Sequence, residues 1–161
     1  CYGEDFSKIL VSIQVMDLTG RVKVIYSKDI NFFYRGSELS RNLIFISATF
    51  QGRKDKDTLI REKINNLIEK KMKDQPTKIK TCGSTFKNPK KNKAWSLIKN
   101  SGCAGMKIGG AYISDKHCNF FVNNGNAKSK DLENLIYKVK EEVLKKTGIE
   151  LDLELEIIGE K

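Results

Sequence analysis

Alternating apolar and polar positions predict three strands in the first fifty residues of the chain. The run ILVSIQVM alternates and is rich in β-branched residues, and VKVIY follows it after the turn DLTGR. A third run, NLIFISATF, extends from Asn42 to Phe50. We therefore predict a hairpin with a third strand packed against it, and we interpret FFYRGSEL as a connection between them.

Apolar residues with helical spacing predict three helices. The first begins after Asp57 and ends near Pro76, a second starts with Asn92 as its cap and ends before Gly102, and the third runs from about Ser129 to Gly148. In the first helix one stripe consists of Ile60, Ile64, Leu67, Ile68 and Met72, and the lysines of this helix are predicted to face outward. The second holds Ala94, Trp95, Leu97 and Ile98, and the third is predicted to bury a stripe of Leu132, Leu135, Ile136, Val139 and Val143.

The remaining apolar patterns complete an α+β prediction. We interpret MKIGGAYIS as one strand interrupted by glycines, and FFV as a short apolar strand. The segment ELDLELEI alternates strictly, which predicts a half-buried strand with four apolar residues on one face, Leu151, Leu153, Leu155 and Ile157. Strands and helices do not alternate regularly, so the fold class is predicted to be α+β.

The net charge of +10 is concentrated in one part of the chain. Residues 51–100 carry 15 Lys and Arg against 5 Asp and Glu, and the rest of the chain is balanced. Such a stretch attracts a polyanion or a small phosphorylated ligand, although lysine-rich surfaces also occur as simple solvated faces. The 161 residues suffice for about one domain, and no apolar run reaches the ~18 residues that cross a bilayer.

The cysteines indicate reduced thiols in a cytosolic protein. Cys1, Cys82, Cys103 and Cys118 form no CxxC pair, and with a single histidine, His117, they give no usual zinc-site spacing. The chain starts at Cys1 without the charged and apolar segments of a secretory signal, and we expect it to be a piece of something longer.

The stretch PTKIKTCGSTFKNP, from Pro76 to Pro89, has the composition either of an active-site loop or of a tight connection. Cys82 and His117 could serve as a thiol nucleophile and its base, but an inert cysteine is the more common case. Ser84 lacks the GxSxG elbow of α/β hydrolases. Arg35, beside aromatic residues, suits a carboxylate or an anion, against the alternative of an ordinary surface arginine.

Nucleic-acid binding without catalysis is the alternative function. The glycine-containing turns KIGG and NNGN match neither the GxxxxGK[ST] loop nor GxGxxG, which disfavours those nucleotide-binding classes. The lysines of residues 78–93 are interleaved with one aromatic side chain, so platforms for base stacking are few. A basic RNA-binding module nevertheless stays open as the alternative at this point.

Four segments together resemble the UDP-N-acetylenolpyruvoylglucosamine reductase family of flavoenzymes, which act in peptidoglycan precursor synthesis. They are FFYRGS, QPTKIKTCGSTFKNP, AWSLIKNSGCAGMKIGGAYISDKHCNFFVNNGNA and GIELDLELEIIG, and they follow the family's order over nearly the whole chain. The resemblance implies that NADPH reduces FAD and that the reduced flavin reduces the enolpyruvyl group of a UDP-sugar. It also implies a cytoplasmic protein, with neither a membrane nor a nucleic acid as partner.

The resemblance implies roles for seven residues. Arg35 and Glu154 would stabilise an enol-like intermediate, and Ser84 would donate a proton to it. The substrate-binding residues would be Tyr34, Lys87, Asn88 and His117. No residue for binding the cofactor is implied, because the family's flavin site is built mainly from a region that would precede Cys1, and no metal is implied.

The resemblance also implies a division of the chain and a branch of the family. Residues 1–75 would end a FAD-binding lobe, and residues 76–161 would form a substrate-binding domain whose last strand, 150–158, returns to the flavin side. The segment between Thr49 and Gln75 is too short for the extra tyrosine-bearing loop of one branch. Leu153 and Tyr112 stand where the family usually has proline and glutamine.

Overall fold

The computed structural model describes residues 2–159, which form two compact units that divide between Ile60 and Arg61. Helices and antiparallel sheets occur together, which confirms the predicted α+β class. None of the helices within residues 2–159 is long and apolar enough to cross a membrane.

The first unit is built on a three-stranded antiparallel sheet that confirms the three predicted strands. The strands of the unit are β1 (Leu10–Asp17), β2 (Val22–Tyr26), β3 (Phe32–Phe33), β4 (Gly36–Ser37) and β5 (Leu43–Phe50), of which β1, β2 and β5 form this sheet. The sheet has the order β2-β1-β5, because the turn after Asp17 folds β2 back on one edge of β1 and β5 pairs with the other. Four buried side chains form its core, Leu10, Ile13, Val15 and Ile30.

The segment FFYRGSEL is more ordered than the connection that the sequence predicted. Strands β3 and β4 pair as a small hairpin, with Phe33 opposite Gly36. This pairing leaves Tyr34 and Arg35 as its two turn residues. Arg35 has a φ of 61°, in the left-handed region that residues with a side chain adopt uncommonly and mostly in turns.

The second unit combines a four-stranded antiparallel sheet with two helices. Its elements are β6 (Lys80–Ser84), α2 (Ala94–Asn100), β7 (Lys107–Ile108), β8 (Ala111–Ile113), β9 (Phe120–Asn123) and α3 (Ser129–Thr147). The sheet order is β6-β9-β8-β7. The predicted stripe of α3 packs into the core, with Leu135, Val139 and Val143 fully buried, and Gly148 ends the helix at a φ of 68°.

The segment MKIGGAYIS forms a hairpin, β7 and β8, where the sequence predicted one interrupted strand. Gly109 has a φ of 54°, and a Cβ atom there would lie 2.5 Å from the Asp131 carboxyl carbon. At Gly110 a Cβ would lie 2.4 Å from the backbone nitrogen of Ala127. The two glycines therefore let the chain reverse directly against the start of α3.

The first helix, α1 (Asp57–Asp74), has the predicted bounds, but its apolar stripe is not buried. No residue of α1 is buried, and Ile64, for example, is 49% exposed. The spacing of the stripe is helical, as predicted, yet within residues 2–159 no element buries it.

The prediction that ELDLELEI forms a regular strand was also wrong. Its described residues make a single isolated bridge, between Leu153 and Phe86. Leu151, Leu153 and Leu155 nevertheless pack on the core of the second unit, whereas Ile157 is 48% exposed. The alternation therefore predicted which side chains turn inward up to Leu155, but the segment has no neighbouring strand with which to form a ladder.

Candidate active site

The loop that follows β6 begins with Ser84, which is the last residue of the strand and pairs with Phe120 of β9. The register shifts between Thr81 and Ser84, and Gly83 has a φ of 88° inside this irregularity. A β-bulge bends its strand and re-aims the side chains that follow it. Gly83 allows this bend because side-chain-bearing residues rarely adopt such a φ.

One side of this loop is held by Asn119. The Phe86 backbone N–H donates to Asn119 Oδ1 at 3.0 Å, and Asn119 Nδ2 donates to the Phe86 carbonyl at 2.8 Å. The Thr85 N–H donates to the Asn119 carbonyl at 2.8 Å. Asn119 is 4% exposed, so these bonds lie in a dry environment where backbone groups need partners.

The other side of the loop is held by the segment that contains Glu154. The Lys87 N–H donates to the Asp152 carbonyl at 2.8 Å, and the Glu154 N–H donates to the Thr85 carbonyl at 2.9 Å. These bonds flank the bridge between Phe86 and Leu153. The structure thus places Glu154 directly beside Thr85, the residue that follows Ser84.

Phe86 anchors the loop in the core of the second unit. It is 1% exposed, and its ring meets that of Phe121 edge-on with centroids 5.8 Å apart. Ser84, Lys87 and Asn88 are half-buried. The loop is therefore fixed through its centre and keeps three polar side chains in partial contact with solvent.

Asn88 caps helix α2 from outside it, and the prediction of Asn92 as the cap was wrong. The Ala94 N–H donates to Asn88 Oδ1 at 3.0 Å, whereas Lys93 occupies the N-cap position without a side-chain hydrogen bond. Asn92 is exposed, and its N–H donates to the Pro89 carbonyl. The turn after Pro89 thus brings Asn88 to the helix start.

The two asparagines provide a matched test of this cap. We expect Asn88→Ala to lower the free energy of unfolding by about 1 kcal/mol, because it removes an acceptor from the first turn of a helix. Asn92→Ala should change it by less than about 0.5 kcal/mol, as exposed substitutions usually do. Urea denaturation followed by circular dichroism measures both, and equal effects would contradict the assignment.

His117 lies in an aromatic environment. Its ring centroid is 4.7 Å from that of Phe120 and 6.4 Å from that of Trp95. The Asn119 N–H donates to His117 Nδ1 at 3.3 Å. Burial disfavours the charged imidazolium and lowers the pKa of His117 below its usual value of 6.5.

This lowered pKa predicts a loss of stability in mild acid. Between the folded-state pKa and the usual value of 6.5, the unfolded chain binds a proton that the folded chain does not, so stability is present above this window and falls as the pH drops through it. The slope for one histidine is at most about 1.4 kcal/mol per pH unit. Thermal melts from pH 7.5 to 5 should show the decline, and His117→Gln should flatten it because the chain has one histidine.

A shallow depression of about 180 Å³ lies at β7 and β8, and it does not fit a flavin dinucleotide. It is smaller than the ~300–1,000 Å³ usual for pockets that hold small molecules. Lys107, Tyr112, Asp115 and Asn124 are among its lining residues. Across residues 2–159, no three His, Cys, Asp or Glu side chains group as metal ligands do.

Comparison with known proteins decides the family. The family model for "UDP-N-acetylenolpyruvoylglucosamine reductase, C-terminal domain" matches residues 75–158, which is more than half of the chain. The chain belongs to this reductase family. The matched range contains the whole Ser84 loop, Asn119 and Glu154, so the contacts described above lie in the family's C-terminal domain.

Individual reductases agree over nearly the whole chain. UDP-N-acetylenolpyruvoylglucosamine reductases from Pelagibacter ubique (strain HTCC1062) and from Wolbachia sp. subsp. Drosophila simulans (strain wRi) are 47% and 45% identical to it, each over 98% of the chain. The crystal structure of the Thermus caldophilus reductase matches with a TM-score of 0.81 at 30% identity, over 93% of the chain. The chain spans about half the length of the relatives it matches, 53% and 54% of the two sequences and 53% of the crystallised chain.

The predicted site residues of the reductase fall in both units. Tyr34 and Arg35 form the exposed turn of the β3–β4 hairpin in the first unit, with the guanidinium carbon 5.6 Å from the tyrosine ring centroid. The other five belong to the second unit, Ser84, Lys87, Asn88, His117 and Glu154. Their roles and the division at residue 75 stay predictions.

The structure also bears on the pair Cys82 and His117 and on Asn119. Cys82 is exposed on β6, while His117 Nδ1 accepts a hydrogen bond from the backbone N–H of Asn119 and not from a cysteine thiol. No role was predicted for Asn119 from the sequence. A polar residue beside the apolar run FFV was the available signal, since a buried asparagine requires specific partners.

Proposed function

We propose that this chain forms the C-terminal part of a cytoplasmic, NADPH-driven, FAD-dependent reductase that converts UDP-N-acetylglucosamine enolpyruvate to UDP-N-acetylmuramate. The observation that carries the proposal is the pairing of the Ser84 loop with the Glu154 segment, 2.9 Å from the Glu154 nitrogen to the Thr85 oxygen. This pairing supports the proposal because Ser84 and Glu154 are two of the residues for which the resemblance implies a catalytic role. FAD would be held mainly by the part of the relatives that this chain does not span.

Charge stabilisation is the first task of this chain's residues in the proposed reaction. Reduced flavin, when bound, would supply a hydride to the outer carbon of the enolpyruvyl double bond, and negative charge would then spread into the substrate carboxylate. The planar Arg35 guanidinium would donate two parallel hydrogen bonds to that carboxylate. Glu154 would act with Arg35 on the enol-like intermediate.

Proton delivery is the second task, and we assign it to Ser84. The carbon next to the reduced position becomes strongly basic, and it takes the Ser84 hydroxyl proton while the serine recovers one from solvent. A positioned general acid of this kind accelerates a reaction by about 10²–10⁴-fold. The fixed backbone on both sides of Ser84 suits the role, since proton transfer requires a donor held within hydrogen-bond reach.

The lysines after the loop would receive the diphosphate of the UDP-sugar. Lys87, Lys90, Lys91 and Lys93 follow Ser84 closely, and the last three are exposed. Lysine ammonium groups act as point charges for phosphate oxygens. Asn88, whose Oδ1 caps α2, would lie beside the substrate on this basic loop.

The proposal is tested with a chimera in which this chain replaces the matching 53% of the Pelagibacter ubique reductase. The chimera should purify with a flavin absorbance spectrum, bleach on addition of NADPH, and recover its colour when UDP-N-acetylglucosamine enolpyruvate is added. A folded, flavin-loaded chimera that NADPH reduces but the substrate does not reoxidise would contradict the proposal. Tight binding of the chain to single-stranded RNA, together with that failure, would favour the alternative of a nucleic-acid-binding module.

A further inference from the structure

Each hydrogen-bonding group of Asn119 has a partner either in the loop that carries Ser84 or in His117. The side-chain carboxamide pairs with the N–H and the carbonyl of Phe86. The backbone carbonyl of Asn119 accepts from the Thr85 N–H, and the backbone N–H of Asn119 donates to His117 Nδ1. The carboxamide bonds join residues 33 positions apart in the sequence. Asn119 therefore acts on the loop as an additional strand would, through one side chain.

On this side the loop is also held by backbone pairing, from the Thr85 N–H to the Asn119 carbonyl and between Ser84 and Phe120 of β9, whereas the Phe86 backbone is held by the Asn119 carboxamide. Phe86 makes a bridge to Leu153 on its opposite side, and its own N–H and C=O point to Asn119. Without the carboxamide, both backbone groups of Phe86 would be buried and unpaired. Phe86 would then be held from the Leu153 side alone, and the orientation of Ser84, two residues before it, would depend on its pairing with Phe120 and on the Thr85 bond.

We propose that Asn119 is a positioning residue that fixes the orientation of Ser84 through the backbone of Thr85 and Phe86. The inference deepens the proposed function, since Ser84 is the proton donor there. An asparagine suits the position because it offers one acceptor and one donor at the spacing of a peptide group. Aspartate keeps the acceptor for the Phe86 N–H but has no donor for the Phe86 carbonyl.

The first test follows residue 84 itself and does not depend on enzyme activity. In a Cys82→Ser, Ser84→Cys background, iodoacetamide modification of residue 84 is timed by peptide mass spectrometry. Asn119→Ala should raise the rate by about tenfold, the effect of losing two net hydrogen bonds. Asn123→Ala is the matched control, because Asn123 ends β9, the strand that follows Asn119, but accepts from Gly125 and Ala127, and the rate in this variant should stay within about twofold.

A second variant separates release of the loop from unfolding. Asn119→Asp is nearly isosteric and should also accelerate modification of residue 84, by a smaller factor than alanine. Slow amide exchange at Leu135 and Val139 of α3 reports that the core stays folded. Unchanged modification in a folded Asn119 variant overturns the proposal.

The second test uses the chimera. Asn119→Ala should slow flavin reoxidation by the substrate by about tenfold to a hundredfold and leave flavin reduction by NADPH unchanged. In a Ser84→Ala background the same change should cost less than about twofold, because a residue that acts through Ser84 has nothing left to position. Equal slowing in both backgrounds overturns the proposal. If the parent chimera is inactive, that result contradicts the proposed function but not the role of Asn119. The modification rates then decide that role.

Discussion

Replacing Ser84 by alanine in the chimera is expected to slow reoxidation of the flavin by the substrate by about 10²–10⁴-fold. The reduction of the flavin by NADPH should stay within about twofold of the parent, because no proton is delivered to the substrate in that half-reaction. Stopped-flow absorbance at the flavin band measures the two halves separately. The asymmetry between them, more than the size of the loss, identifies a residue that acts on the substrate.

The control for this variant is Ser96→Ala, which removes a half-buried serine from α2 in the same unit. Both half-reactions should stay close to those of the parent. Ser84→Cys retains a proton on the side chain and should recover part of the lost rate. Equal slowing of both halves in Ser84→Ala would show a defect in folding or flavin binding and would exclude the role of proton donor.

Arg35→Lys is expected to reduce the substrate half-reaction by about 10²–10³-fold, the usual cost of losing one aligned donor to a developing anion. Lysine keeps the charge but offers no planar pair of donors for a carboxylate. The Arg35 backbone also has a φ of 61°, so the hairpin turn stays equally strained in both variants. Single-turnover reoxidation measures the effect.

Arg41→Lys serves as the matched control, because Arg41 is another exposed arginine of the first unit. Its turnover should be unchanged. Near-normal reoxidation by Arg35→Lys would mean that a point charge suffices or that Arg35 is remote from the reaction. Either result would remove Arg35 from the proposed charge stabilisation.

Local patterns predicted those elements whose stability is decided locally. Helix α3 has a long apolar stripe, an acidic first turn and a terminating glycine, and the structure confirms all three. The β1–β2 hairpin and β5 were likewise readable from alternation. By contrast, alternation in ELDLELEI predicted a strand, but a strand also requires a neighbour, and the structure gives this segment one bridge.

The parts of the site that the sequence did not reveal depend on distant pairing. Strand β6 was missed because a bulge at Gly83 and small polar residues obscure its alternation. The hydrogen bonds between Asn119 and Phe86 join positions 33 residues apart, and no local periodicity of the sequence predicts them. The cap of α2 comes from Asn88, six residues before Ala94, where the nearer Asn92 had the expected spacing.

The central proposal assigns the Ser84 hydroxyl, the Arg35 guanidinium and the Glu154 carboxyl group to the reduction of one enolpyruvyl group. A crystal structure of the chimera with FAD and UDP-N-acetylglucosamine enolpyruvate tests it most directly. The account predicts Ser84 Oγ within about 3.5 Å of the carbon to be protonated, and Arg35 and Glu154 within hydrogen-bond reach, about 2.6–3.2 Å, of the substrate carboxylate or the enol oxygen that forms from it. A bound substrate whose enolpyruvyl group lies far from Ser84 and Arg35 would contradict it.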